Sequence, residues 1–363
     1  MKLVLRHLLW LVLSSVCTAL AFGDQIETLT TFGGYRFTSD FVLHSPDGSA
    51  RQLKGQAGCQ SGAGFTPSGS YLVYSSLRPD GSGCEIISYN VETASQAAVL
   101  SRWWCNRLNE FATFRSGENE YLFITLTSDP DYVAIINVVT GRSVFDGYGW
   151  QSLKRSHDGR GFYYARRGFD CVAEGGTRET GEARFDSLTA WDRLWIEPVV
   201  ARQRIQRSLN AVVTAFKEQN WTTLARLVHP NGFKRSDGSY VTDCDPVFTP
   251  QQITAAPQDT THYFLGWADG SGEKVYHTLL ETFLPYSRLR YTEADSLTFN
   301  ERVGRGNQAD NAFESYPGSI VVEYYFKGSE DNSDFTWHST RFVFLPSGGE
   351  WFLAAITNGY WTI

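Results

Sequence analysis

A change in sequence pattern at residues 191–203 constrains the fold of this 363-residue chain more than any other feature. Before it, short segments with β-strand patterning recur, separated by glycine-containing turns. After it, the sequence predicts one amphipathic helix, a shorter helix and several strand-like runs that reach the C-terminus. Because the period of the hydrophobic pattern differs on the two sides, the sequence predicts two modules of different architecture.

The first module contains an internal repeat. Three segments, at 64–74, 114–124 and 155–164, each have the pattern of a strand end, a tight turn at glycine and an aromatic-rich strand. The first two are followed by a further apolar run, Ile86–Val91 and Val133–Val138, and then by a polar turn. The copies are about 40 to 50 residues apart, which is the length of one propeller blade. This spacing predicts a series of small antiparallel sheets.

These segments resemble the blades of TolB-like and WD-repeat β-propellers, and the resemblance covers residues 26–173. On the same basis, we interpret His44–Gly48 as a fourth, degenerate copy of the turn. The clear copies are too few for a closed ring, which usually has about four to eight blades. An open stack of sheets and a four-bladed closure that uses the N-terminal segment both fit the sequence. The resemblance implies an all-β, propeller-like repeat domain over residues 24–173.

The chain has six cysteines, of which Cys17 lies in the N-terminal segment Met1–Gly23, a predicted signal peptide. Five cysteines therefore remain after this segment is removed. In an oxidising compartment this count predicts two disulfides and one remaining thiol. Propeller topology implies that Cys59, Cys84, Cys105 and Cys171 lie on loops at one face. It pairs Cys59 with Cys84 within a blade and Cys105 with Cys171 between blades, although an exchange of partners stays open. That assignment leaves Cys244 as the remaining thiol.

The paired tryptophans Trp103 and Trp104 lie beside Cys105, on the same predicted face. Large, rigid aromatic side chains bind partner proteins at a low entropic cost, so exposed rings here would form a recognition surface. In the alternative interpretation, which is the commoner use of such a pair, both rings pack between blades. Trp103 and Trp104 are therefore our candidates for a surface that recognises a protein partner.

The second module begins with an amphipathic helix. Apolar positions with helical spacing run from Arg202 to Lys217, and a second helix follows, capped by Asn220 and ended by His229–Pro230. The remaining apolar runs alternate as strands do and are separated by polar turns. These runs are Leu297–Val303, Ser319–Lys327, Thr340–Leu345 and Trp351–Asn358. Helices followed by an antiparallel sheet form an α+β layout.

This layout resembles the nuclear transport factor two-like superfamily, which has a long helix, a short helix and a strongly curved sheet. The resemblance is carried by Val212–Lys217, Asn220–Pro230 and the closing strand Trp351–Ile356. The C-terminal sequence is also similar to that of secreted bacterial proteins with such a domain. The resemblance implies a cone-shaped α+β domain over residues 200–363, after a linker at 174–199. Because the superfamily includes isomerases, dehydratases and non-catalytic binding domains, it predicts a fold and not a reaction.

Glu323, Tyr325 and Arg341 are the polar side chains that we expect closest to a pocket in this cone. Glu323 is two residues from both Val321 and Tyr325 and therefore shares one face of its strand with them. Arg341 shares a face of the next strand with Val343 in the same way. If both charged groups point inward, Glu323 is a candidate base and Arg341 an orienting cation. In the alternative, which we favour, the two residues form a cross-strand ion pair on the outer face of the sheet.

The N-terminal segment, Met1–Gly23, has the three parts of a secretory signal peptide. It begins with the basic residues Lys2 and Arg6, continues with the apolar run Leu8–Val16 and ends with small residues at Ala19–Ala21. No later stretch approaches the roughly 20 apolar residues that cross a bilayer. We therefore expect a soluble mature chain that is periplasmic or secreted.

The remaining sequence features exclude some partners and do not identify a reaction. A formal net charge of −7 and the lack of a basic stripe argue against nucleic acid as a partner. The cysteines lack the spacing of a zinc site. Asp243 and Asp245 lack the glycine and distal glutamate of a calcium loop, so we expect them in a solvated turn. The sequence accordingly predicts no cofactor and no metal.

Three functions fit this organisation. We favour an exported, non-catalytic binding protein whose β-repeat surface contacts a protein partner and whose cone holds a small ligand, because both resembled families often act without chemistry. One alternative is a hydrolase or isomerase that uses a polar pocket in the cone. A second alternative is a structural envelope protein or an enzyme inhibitor.

Overall fold

The computed structural model of the protein describes residues 26–57, 59, 62–81, 83–100, 107–127, 132–148, 150–168, 177–267, 273–303, 310–328 and 336–360. The predicted signal peptide, Met1–Gly23, lies outside these residues. The chain forms two compact units. The first comprises residues 1–166 and 180–187, and the second comprises residues 167–179 and 188–363. No helix in the described part is long and apolar enough to cross a membrane.

The first unit contains four small sheets in which the strands follow chain order, because short connections join sequential strands. The first sheet comprises β1 (Thr28–Phe32), β2 (Tyr35–Thr38), β3 (Val42–His44) and β4 (Ala50–Gln52). The second comprises β5 (Ala63–Phe65), β6 (Tyr71–Leu77), β7 (Cys84–Asn90) and β8 (Gln96–Leu100). The third comprises β9 (Arg107–Ser116), β10 (Asn119–Thr127), β11 (Tyr132–Asn137) and β12 (Ser143–Tyr148). The fourth comprises β13 (Trp150–Arg155), β14 (Gly161–Gly168) and β15 (Thr177–Arg184).

The predicted repeats are the second, third and fourth sheets. A turn between the first two strands of each contains a glycine with positive φ, at Gly69 (78°), Gly117 (61°) and Gly159 (70°). The expected fourth copy, His44–Gly48, instead joins the third and fourth strands of the first sheet. In that sheet the turn between the first two strands is Gly33–Gly34. That expectation was wrong because the same turn chemistry serves any hairpin, so a turn motif does not say which hairpin it closes.

Alternation of side chains along the middle strands packs each sheet against its neighbours. Leu72 and Tyr74 of β6 face the first sheet, where the ring of Phe37 lies 4.9 Å from that of Tyr74. Val73, between them, points to the opposite face and packs with Ile124 of the third sheet. Both faces of the second sheet are therefore buried, as expected for a stack of sheets.

Stacked aromatic rings join the third sheet to the fourth. Phe123 lies 5.1 Å from Phe162, and Phe114 lies 4.1 Å from Phe185, measured between ring centroids. Phe185 begins a short helix, α1 (Phe185–Leu188), that directly follows β15. The predicted linker at 174–199 thus contains a strand and a helix. The sequence did not predict this strand, because it lies at a sheet edge and its charged residues have the pattern of a solvated segment.

Acidic side chains tie neighbouring turns together at one end of the first unit. The buried carboxylate of Glu120 accepts hydrogen bonds from the backbone N (2.7 Å) and Oγ (2.8 Å) of Ser68. Asp186 accepts one from Ser116 Oγ at 2.7 Å. We call this end, defined by the Ser68–Glu120 and Ser116–Asp186 contacts, the latched end. Charge-assisted hydrogen bonds of this kind are among the stronger ones in proteins, so the turns are held in one arrangement.

A disulfide between Cys59 and Cys84 lies at the opposite end of the sheets from these turns. It joins the segment before β5 to the first residue of β7, so it lies within one sheet and confirms the predicted pairing. Cys244 is also disulfide-bonded, so the expectation that it remains a thiol was wrong. Its partner lies outside the described residues, as do Cys105 and Cys171.

The second unit is built on a six-stranded sheet in the order β17, β16, β23, β22, β21, β20. These strands are β16 (Phe233–Arg235), β17 (Val247–Phe248), β20 (Ser296–Phe299), β21 (Ile320–Phe326), β22 (His338–Ser347) and β23 (Glu350–Tyr360). Only the β16–β23 pairing is parallel. A separate hairpin comprises β18 (Tyr263–Trp267) and β19 (Lys274–His277). This is the α+β layout that the sequence predicts.

Helices of the second unit include both predicted ones. They are α2 (Pro198–Lys217), α3 (Trp221–Leu227), α4 (Pro250–Ala255), α5 (Leu279–Arg288) and α6 (Ala312–Ser315), with 3₁₀ turns at Ala190–Leu194 and Tyr291–Glu293. The long helix begins earlier than predicted because Pro198, with its fixed φ, suits the first helical turn. Asn220 caps the next helix, since its side chain accepts a bond from Thr223 N at 2.9 Å.

The two faces of the six-stranded sheet have different neighbours. One face, which we call the helical face, packs Phe342 and Ile356 against Leu209 of α2 in the main core of the unit. The other face carries Val321 and Val343 and packs against α6. Because successive side chains alternate between faces, each strand contributes to both layers.

Candidate functional site

Glu323 and Arg341, predicted from the sequence, are direct cross-strand partners on β21 and β22. Arg341 donates to Glu323 Oε1 from both Nε (3.0 Å) and Nη2 (2.9 Å). The two side chains are 0% and 3% exposed. They lie on the face opposite the helical face, since they alternate with Phe342 and Val322. The structure therefore brings these two residues together as an ion pair, buried and not solvent-exposed.

Residues before α6 cover this ion pair and complete a charge cluster. Arg341 Nη1 lies 3.2 Å from Asp310 Oδ2, and Arg302 Nε lies 3.0 Å from the same oxygen. Val303 N donates to the second oxygen of Glu323. Burial alone would raise the pKa of Asp310, but the charges of Arg302 and Arg341 lower it below its ordinary value. We call Glu323, Arg341, Asp310 and Arg302 the Glu323 cluster; its buried carboxylates are all engaged.

A glycine provides the space for the guanidinium of this cluster. A Cβ atom at Gly359 would lie 2.7 Å from Ser339 Oγ and 3.0 Å from Arg341 Nη2. Tyr325, the third predicted residue, packs against Trp337 with ring centroids 6.1 Å apart. Tyr325 therefore lies on the same face of β21 as Glu323, with its ring against that of a tryptophan. Trp103 and Trp104 lie outside the described residues.

A second polar cluster, not predicted from the sequence, lies on the helical face. Phe233 of β16 packs against Phe283 of α5, with ring centroids 5.7 Å apart. Arg235 is two residues further along the strand and Tyr286 is about one turn further along the helix, so they continue the same contact. Burial alone would lower the pKa of Arg235, but its interactions and hydrogen bonds with Tyr286 and Asp237 raise that pKa above its ordinary value. The guanidinium is therefore held charged among aromatic side chains.

Hydrogen bonds extend this cluster across the sheet. Asn358 Nδ2 donates to Tyr286 Oη at 3.0 Å, and Thr340 Oγ1 donates to Asn358 Oδ1 at 3.3 Å. Thr340 is in turn paired with Tyr324 on the neighbouring strand. Arg235, Asn358, Thr340 and Tyr324 thus form a polar row over four adjacent strands at one end of the helical face. We call these four residues with Tyr286 and Asp237 the Arg235 cluster.

Arg235 has fewer partners than Arg341. Its side chain is 10% exposed, and Nη1 donates to Asp237 Oδ1 at 2.6 Å. Asp237 is 41% exposed and lies in the turn directly after β16. Nε is buried, and no atom of the described residues accepts a hydrogen bond from it. A buried donor without an acceptor is uncommon in proteins, and water or a ligand can supply the missing acceptor.

Sequence reasoning missed Arg235 because its strand is only three residues long and is followed by Ser236–Gly238, a strong turn signal. The alternation of Phe233 with Arg235 was the available signal. Asp245 was also assigned wrongly, because it is buried and not solvated, whereas Asp243 is exposed. Burial raises the pKa of Asp245. Within the described residues, no group of three acidic, histidine or cysteine side chains is arranged to hold a metal ion.

Comparisons with known proteins concern the fold only. No family model matches the sequence, and no curated protein matches it. The β-propeller domain of the Trilobed protease from Pyrococcus furiosus matches with 10% identity over 44% of this chain and 52% of that chain, at a TM-score of 0.29. TolB from Acinetobacter baumannii matches with 17% identity over 45% and 38%, at a TM-score of 0.26. Acylaminoacyl peptidase from Pyrococcus horikoshii matches with 9% identity over 41% and 27%, at a TM-score of 0.27.

This chain therefore spans between 27% and 52% of the length of these solved structures. Matches at such TM-scores carry no argument about function. The description of the first unit as propeller-like rests on its own four sheets, their chain-order topology and their face-to-face packing. The class of protein that the structure defines is a β-repeat unit followed by an α+β unit.

Proposed function

We propose that the protein is an exported, non-catalytic binding protein in which the first unit contacts a protein partner and the second unit holds a small ligand. The observation that carries this proposal is that both ends of the β-repeat unit are fixed. Glu120 and Asp186 hold the turns of the latched end, and the Cys59–Cys84 disulfide ties the segment before β5 to β7 of the second sheet at the other. A scaffold fixed in this way presents its loops in one conformation, which lowers the entropic cost of binding.

We place the partner surface at the disulfide-bearing end. β8 ends and β9 begins at that end, and Trp103 and Trp104 come between these two strands in the sequence. Tryptophan is enriched among the residues that dominate protein–protein binding energy. The latched end is less suitable, because Ser68 and Glu120 already satisfy each other there.

The buried ion pair favours binding over the enzyme alternative. A general base must be free to accept a proton from a substrate in hydrogen-bond reach. Glu323 instead accepts bonds from Arg341 and from Val303 N, and Arg341 also contacts Asp310. The two residues proposed as base and orienting cation therefore stabilise each other.

Export is supported by the disulfide chemistry together with the signal-like segment Met1–Gly23. Disulfides persist in the periplasm and outside the cell and are rare in reducing compartments. The Cys59–Cys84 bond and the bonded state of Cys244 fit such a location. We infer a mature chain that begins after the segment and acts in the periplasm or the medium.

Partner capture tests the first unit. The mature chain from Asp24 onward is immobilised and exposed to a cell-envelope extract, and captured proteins are identified after cross-linking. We compare it with a Trp103→Ala/Trp104→Ala double variant and with Tyr163→Ala, which removes a surface aromatic side chain, 41% exposed, from the fourth sheet. The wild type and Tyr163→Ala should retain the same partner, and the double variant should capture at least about tenfold less.

Equal capture by all three proteins would contradict the proposed surface. The lack of any partner specific to the wild type would contradict the protein-binding function itself. Circular dichroism of the double variant checks that its sheets remain folded, so that a loss of capture reports on the tryptophans.

A further inference from the structure

We propose that Arg235 binds the carboxylate of a small organic acid at the helical face of the second unit, and that Asp237 occupies the guanidinium until this ligand replaces it. The inference rests on the small-ligand half of the proposed function and names the ligand class. It concerns a different cluster from the ion pair that the sequence singled out.

The donors of Arg235 are the first argument. A guanidinium carries five N–H donors in a planar fork, and one edge of that fork matches the two oxygens of a carboxylate. Asp237 accepts from Nη1, whereas buried Nε has no acceptor among the described residues. A carboxylate bound through Nε and a neighbouring nitrogen would satisfy this donor in the geometry that arginine favours.

The position of Asp237 is the second argument. It lies two residues from Arg235 in the adjoining turn, and its side chain is 41% exposed. An ion pair with an exposed partner contributes little net stability, because water solvates the carboxylate when the contact opens. Asp237 is therefore solvated when it leaves, and the ligand carboxylate compensates the buried guanidinium in its place, an exchange that the 0% exposed Glu323 cannot make for Arg341.

The side chains near Arg235 indicate the shape and polarity of the rest of the ligand. Beyond Arg235, the polar row offers the amide of Asn358 and the hydroxyl of Thr340, which already bond each other. Tyr286, which accepts a hydrogen bond from Asn358 Nδ2 at 3.0 Å, supplies an aromatic ring beside the guanidinium. A flat acid with an apolar body therefore fits better than a highly polar one, because aromatic rings favour stacked or edge contacts with it.

Calorimetric titration with sodium benzoate tests the site, with neutral benzamide as the matched probe that lacks the charge. Benzoate should bind the mature wild-type chain, and benzamide should bind at least about tenfold more weakly, since the charge-assisted bonds are lost. Arg235→Gln should weaken benzoate binding by about tenfold or more for the same reason.

Asp237→Ala separates the proposal from a purely structural role for the ion pair. If Asp237 competes with the ligand, its removal should tighten benzoate binding by up to about fivefold, the value of an exposed ion pair. Asp243→Ala is the matched control, because it removes an exposed carboxylate from the same unit. It should leave the affinity unchanged.

Unchanged or weaker binding in Asp237→Ala, or equal gains in both alanine variants, would overturn the inference even if Arg235→Gln fails to fold. A wild type that binds benzoate and benzamide equally, or neither, would also overturn it. Capture of a protein partner is measured separately, so failure of this site is distinguishable from failure of the proposed protein-binding function.

Discussion

Arg341 and Arg235 are both buried guanidinium groups, yet they lie on opposite faces of one sheet and have different surroundings. Arg341 contacts two buried carboxylates, Glu323 and Asp310, that are held by separate elements. Arg235 contacts one half-exposed carboxylate, Asp237, from the adjoining turn. The difference teaches that burial alone does not indicate a binding site. What differs between the two sites is the number of buried carboxylates that face the cation, two at Arg341 and none at Arg235.

The largest effect expected from this comparison follows Arg341→Met. The change leaves Glu323 and Asp310 without their shared cation, and an uncompensated buried charge costs about 3 to 5 kcal/mol of the free energy of unfolding. Urea unfolding of the full mature chain measures this loss. In a Glu323→Leu/Arg341→Met variant both charges are gone, so most of the stability should return. A single variant as stable as the wild type would show that the cluster is not a closed ion pair.

Arg235→Met should have a smaller effect, about 1 kcal/mol, in the same unfolding measurement. Its partner Asp237 is exposed enough to be solvated once the cation is removed, so no charge is stranded in the core. The ratio of the two losses sharpens the contrast between the faces. If Arg235→Met destabilised the chain as much as Arg341→Met, Arg235 would be a structural residue and the comparison would fail.

The smallest expected effect is on the free energy of unfolding at low pH. The pKa of Asp310 is lower in the folded chain than its ordinary value, so the folded state binds fewer protons there than the unfolded state. Its stabilising contribution is therefore present above about pH 4 and is lost as the pH falls through the folded pKa. Asp310→Asn should flatten the decline of unfolding free energy below about pH 4, and Asp243→Asn, in an exposed turn, is the control. An unchanged acid profile in Asp310→Asn would contradict the assignment.

Local signals in the sequence predicted part of this structure well. The second to fourth sheets follow from turn glycines and strand alternation, and the Cys59–Cys84 pairing follows from the blade topology that they imply. The first sheet was located poorly, because its strands are only three to five residues long and its turns resemble those of other hairpins. Short strands carry too little periodicity to fix their order.

The candidate sites divide in the same way. The pairing of Glu323 with Arg341 follows from alternation on adjacent strands, but its burial does not, because the cover comes from residues around Asp310 that lack periodicity. The Arg235 cluster depends on contacts between distant parts of the chain. Asn358 Nδ2 lies 3.4 Å from the carbonyl oxygen of Ser236, for example, at a separation of 122 residues. Sequence pattern within a short window carries no information about such contacts.

Asn358 and Gly359 give the two faces a common point in the chain. An Asn-Gly pair usually marks a hairpin turn, yet here both residues lie within β23. Asn358 contributes an amide to the Arg235 cluster, while its neighbour, by lacking a side chain, makes room for Arg341 on the other face. One dipeptide thus supplies a polar side chain on the helical face and leaves space for a guanidinium on the opposite face. A slip of this strand by one residue would exchange them, so the placement of both cations depends on a single alignment of β23.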